Sequence, residues 1–222
     1  MRLPVKANPV LLGLLIAAGF LLTCRPAEAQ QTETLTVAGG CFWCVEADFE
    51  SVRGVEEVVS GYSGGTVANP SYKQVTQGGT GHYEAVEIRF DPGVISRETL
   101  LDLFLRSVDP TDAGGQFCDR GESYRTAIFV SDQEERAQAN EAISEAEQEL
   151  GQEIVTPVLE EAPFYEAEDY HQDYYKGSSL VFTRFGPKRQ SEAYKAYRAA
   201  CNRDTRVREL WGADAPFVGG SG

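Results

Sequence analysis

The chain has 222 residues, 42% of them hydrophobic, and a formal charge of −14. Such an acidic balance disfavours nucleic acid and anionic membrane as partners. The length suits one domain with a proper core, and neither repeats nor low-complexity tracts interrupt it.

The first 29 residues read as an address. Arg2 and Lys6 make a basic start, Val10 to Leu22 is an almost unbroken apolar run, and Ala27-Glu28-Ala29 is a small-x-small site before Gln30. This pattern predicts a signal peptide over 1–29, cleaved after Ala29, and hence an exported, periplasmic protein. The apolar run is shorter than the ~20 residues of a membrane span, so no stable insertion is expected after cleavage. Leu21-Leu22-Thr23-Cys24 fits a lipoprotein site poorly, because Thr precedes the cysteine. Cleavage leaves one domain over 30–222 with Cys41, Cys44, Cys118 and Cys201. Cysteines in exported proteins are commonly structural disulfides. A pair three residues apart at a helix start suits a switching pair better.

Leu35 to Val37 is a short strand leading into Gly39-Gly40. A helix follows over Cys41 to Val52, with Phe42, Val45, Phe49 and Val52 on one stripe. Strand, glycine turn and helix thus place Cys41 at a helix N-terminus, where free N–H groups favour a thiolate. The plainer reading is that Cys41 and Cys44 are small buried apolar residues. Val55 to Tyr62 reads as a second strand, followed by loops at Gly64-Gly65 and Asn69-Pro70 and a brief ordered stretch over Tyr72 to Val75.

His82 to Phe90 alternates strictly, with Glu84, Val86, Ile88 and Phe90 on one face. A carboxyl on that face loses solvation and stays protonated near neutral pH. Periodicity alone leaves open whether Glu84 faces the core or turns to water at the strand end. Ser96 caps a helix with the stripe Leu100, Leu101, Phe104, Leu105 and Val108. A polar loop over Thr111 to Glu122 carries Cys118 and Asp119. Tyr124 to Val130 is apolar enough for a central strand. Ser131 and Glu134 form a capping box for a helix that ends at Gly151. Ile154 to Leu159 reads as a further strand. Beyond it lie a tyrosine- and acid-rich stretch with His171, an irregular stretch after Lys176, and a helix over Ser191 to Cys201. Asp204 to Trp211 adds a helical turn or two, and 212–222 is expected to be disordered. The order of elements predicts an α/β (α+β) two-layer sandwich, with helices packed on a mixed sheet.

A polarised thiol, a neutral carboxylic acid, loop tyrosines and the aromatic wall of Phe42 and Trp43 suit attack on an electrophile whose oxygen must be protonated. A sulfoxide fits, with a sulfenic acid on Cys41 that a second thiol condenses to a disulfide. Residue types alone do not choose it over a peroxide or a disulfide.

Longer motifs do choose. Gly40-Cys41-Phe42-Trp43 with Val45-Glu46 resembles the signature of the A-type peptide methionine sulfoxide reductases. Gly61-Tyr62-Ser63-Gly64-Gly65, Asn69-Pro70-Ser71-Tyr72, Gly81-His82-Tyr83-Glu84-Ala85-Val86, Asp119-x-Gly121-x-x-Tyr124-Arg125-Thr126-Ala127-Ile128 and Glu168-Asp169-Tyr170-His171-Gln172 resemble its further motifs, in order. The resemblance implies Cys41 as nucleophile and Glu84 as proton donor to the sulfoxide oxygen. It implies Tyr72 and Tyr124 as hydrogen-bond donors to that oxygen, Asp119 as a substrate-binding residue, and Phe42 and Trp43 around the substrate methyl. It further implies a ferredoxin-like sandwich, S-methionine sulfoxide in proteins or free as substrate, no metal or organic cofactor, and recycling by a thioredoxin-like reductant or dithiothreitol. His171 matches a motif position, with support of the fold as its expected role.

The resolving thiols depart from many relatives, which carry Gly at the position of Cys44 and further cysteines near the C-terminus. Cys44, one helical turn from Cys41, is the first choice, then Cys201, then Cys118. Two rivals remain: a CxxC thiol-disulfide oxidoreductase, and a zinc module using Cys41, Cys44, Cys118 and His171. No sustained coiled-coil or large apolar surface pattern is present, so a monomer is expected.

Overall fold

A computed structural model describes residues 32–184, 186–213 and 215–219; the predicted signal peptide lies outside the described residues. The domain is built on a six-stranded sheet. Strand β1 (Glu33–Gly39) runs antiparallel to β3 (Tyr83–Phe90) on one side and to β6 (Thr126–Val130) on the other. Strand β2 (Val55–Ser63) pairs antiparallel with β3, placing Tyr62 opposite Glu84. The short β7 (Val158–Glu160) lies parallel to β6, and β8 (Tyr165–Glu166) edges β2. The order is β7-β6-β1-β3-β2-β8, a mixed sheet.

The period of two in β1, β3 and β6 sends Leu35, Val37, Val86, Ile88, Phe90, Ile128 and Val130 to one face. Helices α1 (Phe42–Glu50), α3 (Arg97–Ser107) and α4 (Gln133–Leu150) contribute to the core there, through Phe42, Val45, Phe49, Leu100, Leu101, Phe104 and Ala139. The short α2 (Tyr72–Gln77) adds Val75. The opposite face carries a smaller cluster of Ala38, Tyr83, Ala85, Ala127 and Phe129. Helices α5 (Gln190–Ala200) and α6 (Arg203–Trp211) complete the domain. Among the described residues no helix is long and apolar enough to cross a membrane.

Several predicted boundaries shift for local reasons. Tyr124 belongs to a single 3-10 turn before β6, and β6 lies second from the sheet edge, between β1 and β7. Asp132, not Ser131, caps α4: its side chain accepts from Glu135 N–H, and Glu135 accepts from Ser131 N–H at 2.8 Å. The strand expected over Ile154 to Leu159 keeps only its last residues. Pro157 has no N–H to give, while Val155 N–H turns away to Pro110 at 2.8 Å.

The stretch after Lys176 holds a hairpin of β9 (Leu180–Thr183) and β10 (Gly186–Arg189). Its outward side chains include Leu180 and Phe182, 67% and 87% exposed, so the polar-out alternation that marks a strand is missing. Within the tail expected to be disordered, Phe217 lies near Phe49 with ring centroids 5.7 Å apart and planes tilted by 44°, and Arg198 donates to its carbonyl at 3.1 Å, while 214 and 220–222 lie outside the described residues.

Helices α1, α5 and α6 are joined by charge. Asp48 is fully buried on α1 and meets Arg198 at 2.8 Å and Arg203 at 3.8 Å. Removing only the carboxylate leaves Arg203 buried with carbonyl partners but no counter-charge in ion-pair contact among the described residues, and Arg198 with Asp204 as its remaining ion pair. Asp48→Ala should therefore lower unfolding stability by about 3–5 kcal/mol. Denaturant titration checks this, and a loss within experimental error would show that the pair is solvated in solution.

Candidate active site

Gly40 makes the turn that brings β1 into α1. Its φ is +78°, and a Cβ there would stand 2.5 Å from the Gln116 side chain. Cys41 then occupies the N-cap of α1. Glu84 arrives from β3 on the helix-covered face, 1% exposed. The even odds left by periodicity resolve toward the core. Phe42 N–H donates to Glu84 Oε2 at 3.2 Å, while Oε1 is buried and meets no hydrogen-bond partner among the described residues. Burial raises the Glu84 pKa to about 8, against the pull of that N–H, so the group is protonated at neutral pH.

The expectation of a helix-stabilised thiolate at Cys41 needs correction. A free N–H at the helix start is given to Glu84 instead. Burial pushes the Cys41 thiol well above its ordinary value, and its hydrogen bond with Cys44 and the carboxylates of Glu84 and Asp119 act in the same direction. Cys44 moves the other way, because it takes the hydrogen bond from Cys41 and lies near Arg203 and Arg198. Burial thus works against a resting thiolate at Cys41.

Cys41, Phe42, Trp43, Tyr72, Glu84, Asp119, Tyr124 and Tyr197 line one cavity of about 50 Å³. The structure therefore brings the predicted thiol, acid, tyrosines, aromatic wall and Asp119 together, from α1, α2, β3, the short strand β5 (Asp119–Arg120) and the turn before β6. The Tyr72 and Tyr124 hydroxyls meet each other, and burial pushes both phenols up, keeping them as donors. Trp43 stacks on Tyr174 with centroids 3.7 Å apart and planes 5° from parallel. Its indole N–H donates to His171 Nδ1 at 3.1 Å. Burial lowers the His171 pKa to about 4, so this ring is neutral. His171 props the aromatic wall and is absent from the cavity lining, consistent with support of the fold.

Of the three candidate resolving thiols, the structure leaves one beside Cys41. Cys44 is 2% exposed and one helical turn on, its backbone N–H donating to the Cys41 carbonyl at 3.0 Å, whereas Cys118 and Cys201 are bonded to each other. That pairing also breaks the zinc set weighed above, since Cys118 is committed to Cys201 and His171 Nδ1 to Trp43.

Three contributors escaped the sequence reading. Glu46 is buried, accepts from Asp173 N–H at 2.7 Å and Ser60 Oγ at 2.9 Å, and so pins the loop that carries His171. Glu168 receives Tyr72 N–H at 3.0 Å and the Tyr62 hydroxyl at 2.9 Å. Tyr197 reaches the cavity from α5; its one legible signal is its place one helical turn before Cys201. A larger hollow of about 480 Å³ on the far sheet face is lined by Glu33, Glu87, Glu134 and Glu135 among others, and holds no thiol, histidine or tyrosine.

A buried thiol, a protonated carboxyl and two phenol donors around a small aromatic-walled cavity define an oxygen-removing thiol enzyme. The sequence profile of the peptide methionine sulfoxide reductase family matches residues 33–213. Peptide methionine sulfoxide reductase MsrA 2 of Rhizobium meliloti is 46% identical over 204 residues, covering 90% of this chain and 96% of that protein. MsrA of Bacillus subtilis is 45% identical over 188 residues, 83% and 99% of the respective chains. In structure, methionine sulfoxide reductase A of Corynebacterium diphtheriae aligns with a TM-score of 0.65 at 29% identity, over 71% of this chain and 80% of that one. The chain belongs to the peptide methionine sulfoxide reductase family, as a member of its A type. Its activity is that of a peptide-methionine (S)-S-oxide reductase.

Proposed function

We propose that reduction proceeds by attack of Cys41 sulfur on the sulfoxide sulfur. Glu84 gives its proton to the sulfoxide oxygen and takes up the proton that the Cys41 thiol releases, and Tyr72 and Tyr124 hydrogen-bond that oxygen as it passes to Cys41. The products are a thioether and Cys41 sulfenic acid. Asp119 orients the substrate, and Phe42 and Trp43 enclose its methyl. The observation that carries this reading is the shared cavity, lined by Cys41, Glu84 and both phenols. Cys44 then attacks the sulfenic sulfur, water leaves, and a Cys41–Cys44 disulfide remains for a thioredoxin-like dithiol to reduce. The burial of both free thiols one helical turn apart, with Cys118 and Cys201 bonded to each other, supports Cys44 in that role.

The leader pattern in residues 1–29 supports an exported, periplasmic enzyme that repairs oxidised exported proteins, and the lack of a sustained coiled-coil or large apolar surface pattern in the sequence supports a monomer. The succession β1, α1, β2, β3, α3, β6, with strands side by side as β6-β1-β3-β2, supports the ferredoxin-like reading of the sheet.

One equivalent of an S-sulfoxide peptide, added to reduced enzyme without further reductant, tests the chemistry. Peptide mapping should find a Cys41–Cys44 disulfide. Cys44→Ser should instead leave a sulfenic acid at Cys41 that dimedone traps. A bridge from Cys41 to Cys118 or Cys201 would move the resolving role to that residue.

A further inference from the structure

Asp119 and the end of α5 are joined twice. The first link is covalent. Cys118, the neighbour of Asp119, is bonded to Cys201 across 83 residues, with Cα atoms 4.9 Å apart. The second link is polar. Tyr197 lies one turn before Cys201, where its carbonyl accepts Cys201 N–H at 3.0 Å, and its hydroxyl donates to Asp119 Oδ2. Asp119, Cys118, Cys201 and Tyr197 thus close a ring. Tyr197 also faces the chemistry: it lines the cavity with Cys41 and Glu84, and its ring stands edge-on to Trp43 with centroids 6.3 Å apart. Cys118 is exposed while Cys41 and Cys44 are buried, so a dithiol in solution meets this disulfide first. Burial pushes Asp119 up from the usual carboxylate range, and the Tyr197 hydroxyl opposes that.

We infer that Tyr197 is a positioning residue for sulfoxide reduction, and that the Cys118–Cys201 disulfide is a redox-sensitive clamp holding it on Asp119. The inference rests on the proposed role of Asp119 in substrate binding. With the clamp closed, Tyr197 fixes the Asp119 carboxylate and walls one side of the pocket. A dithiol opens it. One thiolate attacks Cys118 Sγ and Cys201 leaves as a thiolate; the second thiol then displaces Cys118. The dithiol is oxidised to a disulfide, and Cys118 and Cys201 finish as thiols after uptake of two electrons and two protons. The rest of α5 stays in place, because Arg198 remains on buried Asp48 and Tyr194 remains in the core. Only the hydroxyl contact then ties Tyr197 to Asp119. Loss of that order should weaken substrate binding about tenfold, the scale of one hydrogen bond to a charged group.

The test uses Cys41→Ser protein, in which the clamp can be opened and closed without turnover. Calorimetric titration with an N-acetyl-methionine-S-sulfoxide peptide gives Kd before and after dithiothreitol, with thiol titration to confirm release of Cys118 and Cys201. Kd should rise about tenfold on reduction. In Cys41→Ser/Tyr197→Phe the Kd should already be raised and should no longer respond to dithiothreitol. In otherwise wild-type enzyme with the clamp closed and no added reductant, Tyr197→Phe should raise the half-saturating peptide concentration of a single turnover about tenfold and leave its limiting rate within about twofold, a split that general loosening of the fold would not give. A Kd unmoved by reduction, or a Tyr197→Phe protein with the full dithiothreitol response, overturns the clamp. Absence of peptide binding in every state would instead overturn the substrate reading on which it stands.

Discussion

Cys41→Ser should lower reduction of an S-methionine-sulfoxide peptide, with dithiothreitol as reductant, by roughly 10⁴-fold or more. Serine nearly matches the thiol in size, so the cavity keeps its shape. Its oxygen, however, cannot attack sulfur as a thiolate does, nor accept the sulfoxide oxygen and be reduced again. The two thiols give the experiment its edge. Burial works against a thiolate at Cys41. Position favours Cys41, which lines the cavity at the N-cap of α1, while Cys44 lies a turn further along and does not. Position decides, because a nucleophile must reach the reacting atom before its protonation matters. Turnover that survives in Cys41→Ser and vanishes in Cys44→Ser would reverse that ranking. Chromatographic measurement of the methionine peptide formed distinguishes the two.

Glu84→Gln should cost roughly 10²–10⁴ in kcat, the range for loss of a positioned general acid. The amide keeps the hydrogen bond from Phe42 N–H but has no acidic proton to give. The pH profile carries the sharper signature. With its pKa raised to about 8 by burial, Glu84 is the acid below that pH and an ineffective carboxylate above it. In wild type, kcat/KM should therefore fall as pH rises through about 8. Glu84→Gln, already slow, should lack that fall. The same fall in both proteins would assign the limb to another group. Folding obeys the matching sign. Between the ordinary carboxyl pKa of 4.5 and about 8, the folded chain holds a proton that the unfolded chain has lost. Burial of Glu84 therefore costs stability that grows as pH rises through that window.

The contrast between Glu84 and Cys41 shows what kind of statement a sequence can make. Strict alternation over β3 placed Glu84 on the apolar face with Val86 and Ile88 but left core and solvent open at the strand end, and the tertiary structure buries it. The thiolate at Cys41 rested on a helix terminus treated in isolation. The N–H of Phe42 goes to a carboxylate 42 residues away in the chain, and no local pattern states that competition. The hairpin of β9 and β10 escaped for a related reason. Its signal depends on which side is covered, and Val181 packs toward the Cys41–Cys44 cluster while Leu180 and Phe182 face solvent.

By itself the sequence determined the strand-turn-helix that presents Cys41, the caps at Ser96 and Gly151, the stripes that build the core, and, through its motifs in order, the reductase family. These are decided by neighbours along the chain: φ freedom at glycine, side-chain caps, and periods of 2 and 3.6 residues. The tertiary structure alone decided which thiols pair, that Tyr197 closes on Asp119, that Asp48 meets two arginines from α5 and α6, and that burial works against a thiolate at Cys41. Each of these depends on distances between segments far apart in the chain. Burial there removes the water that would otherwise set every charge to its ordinary value.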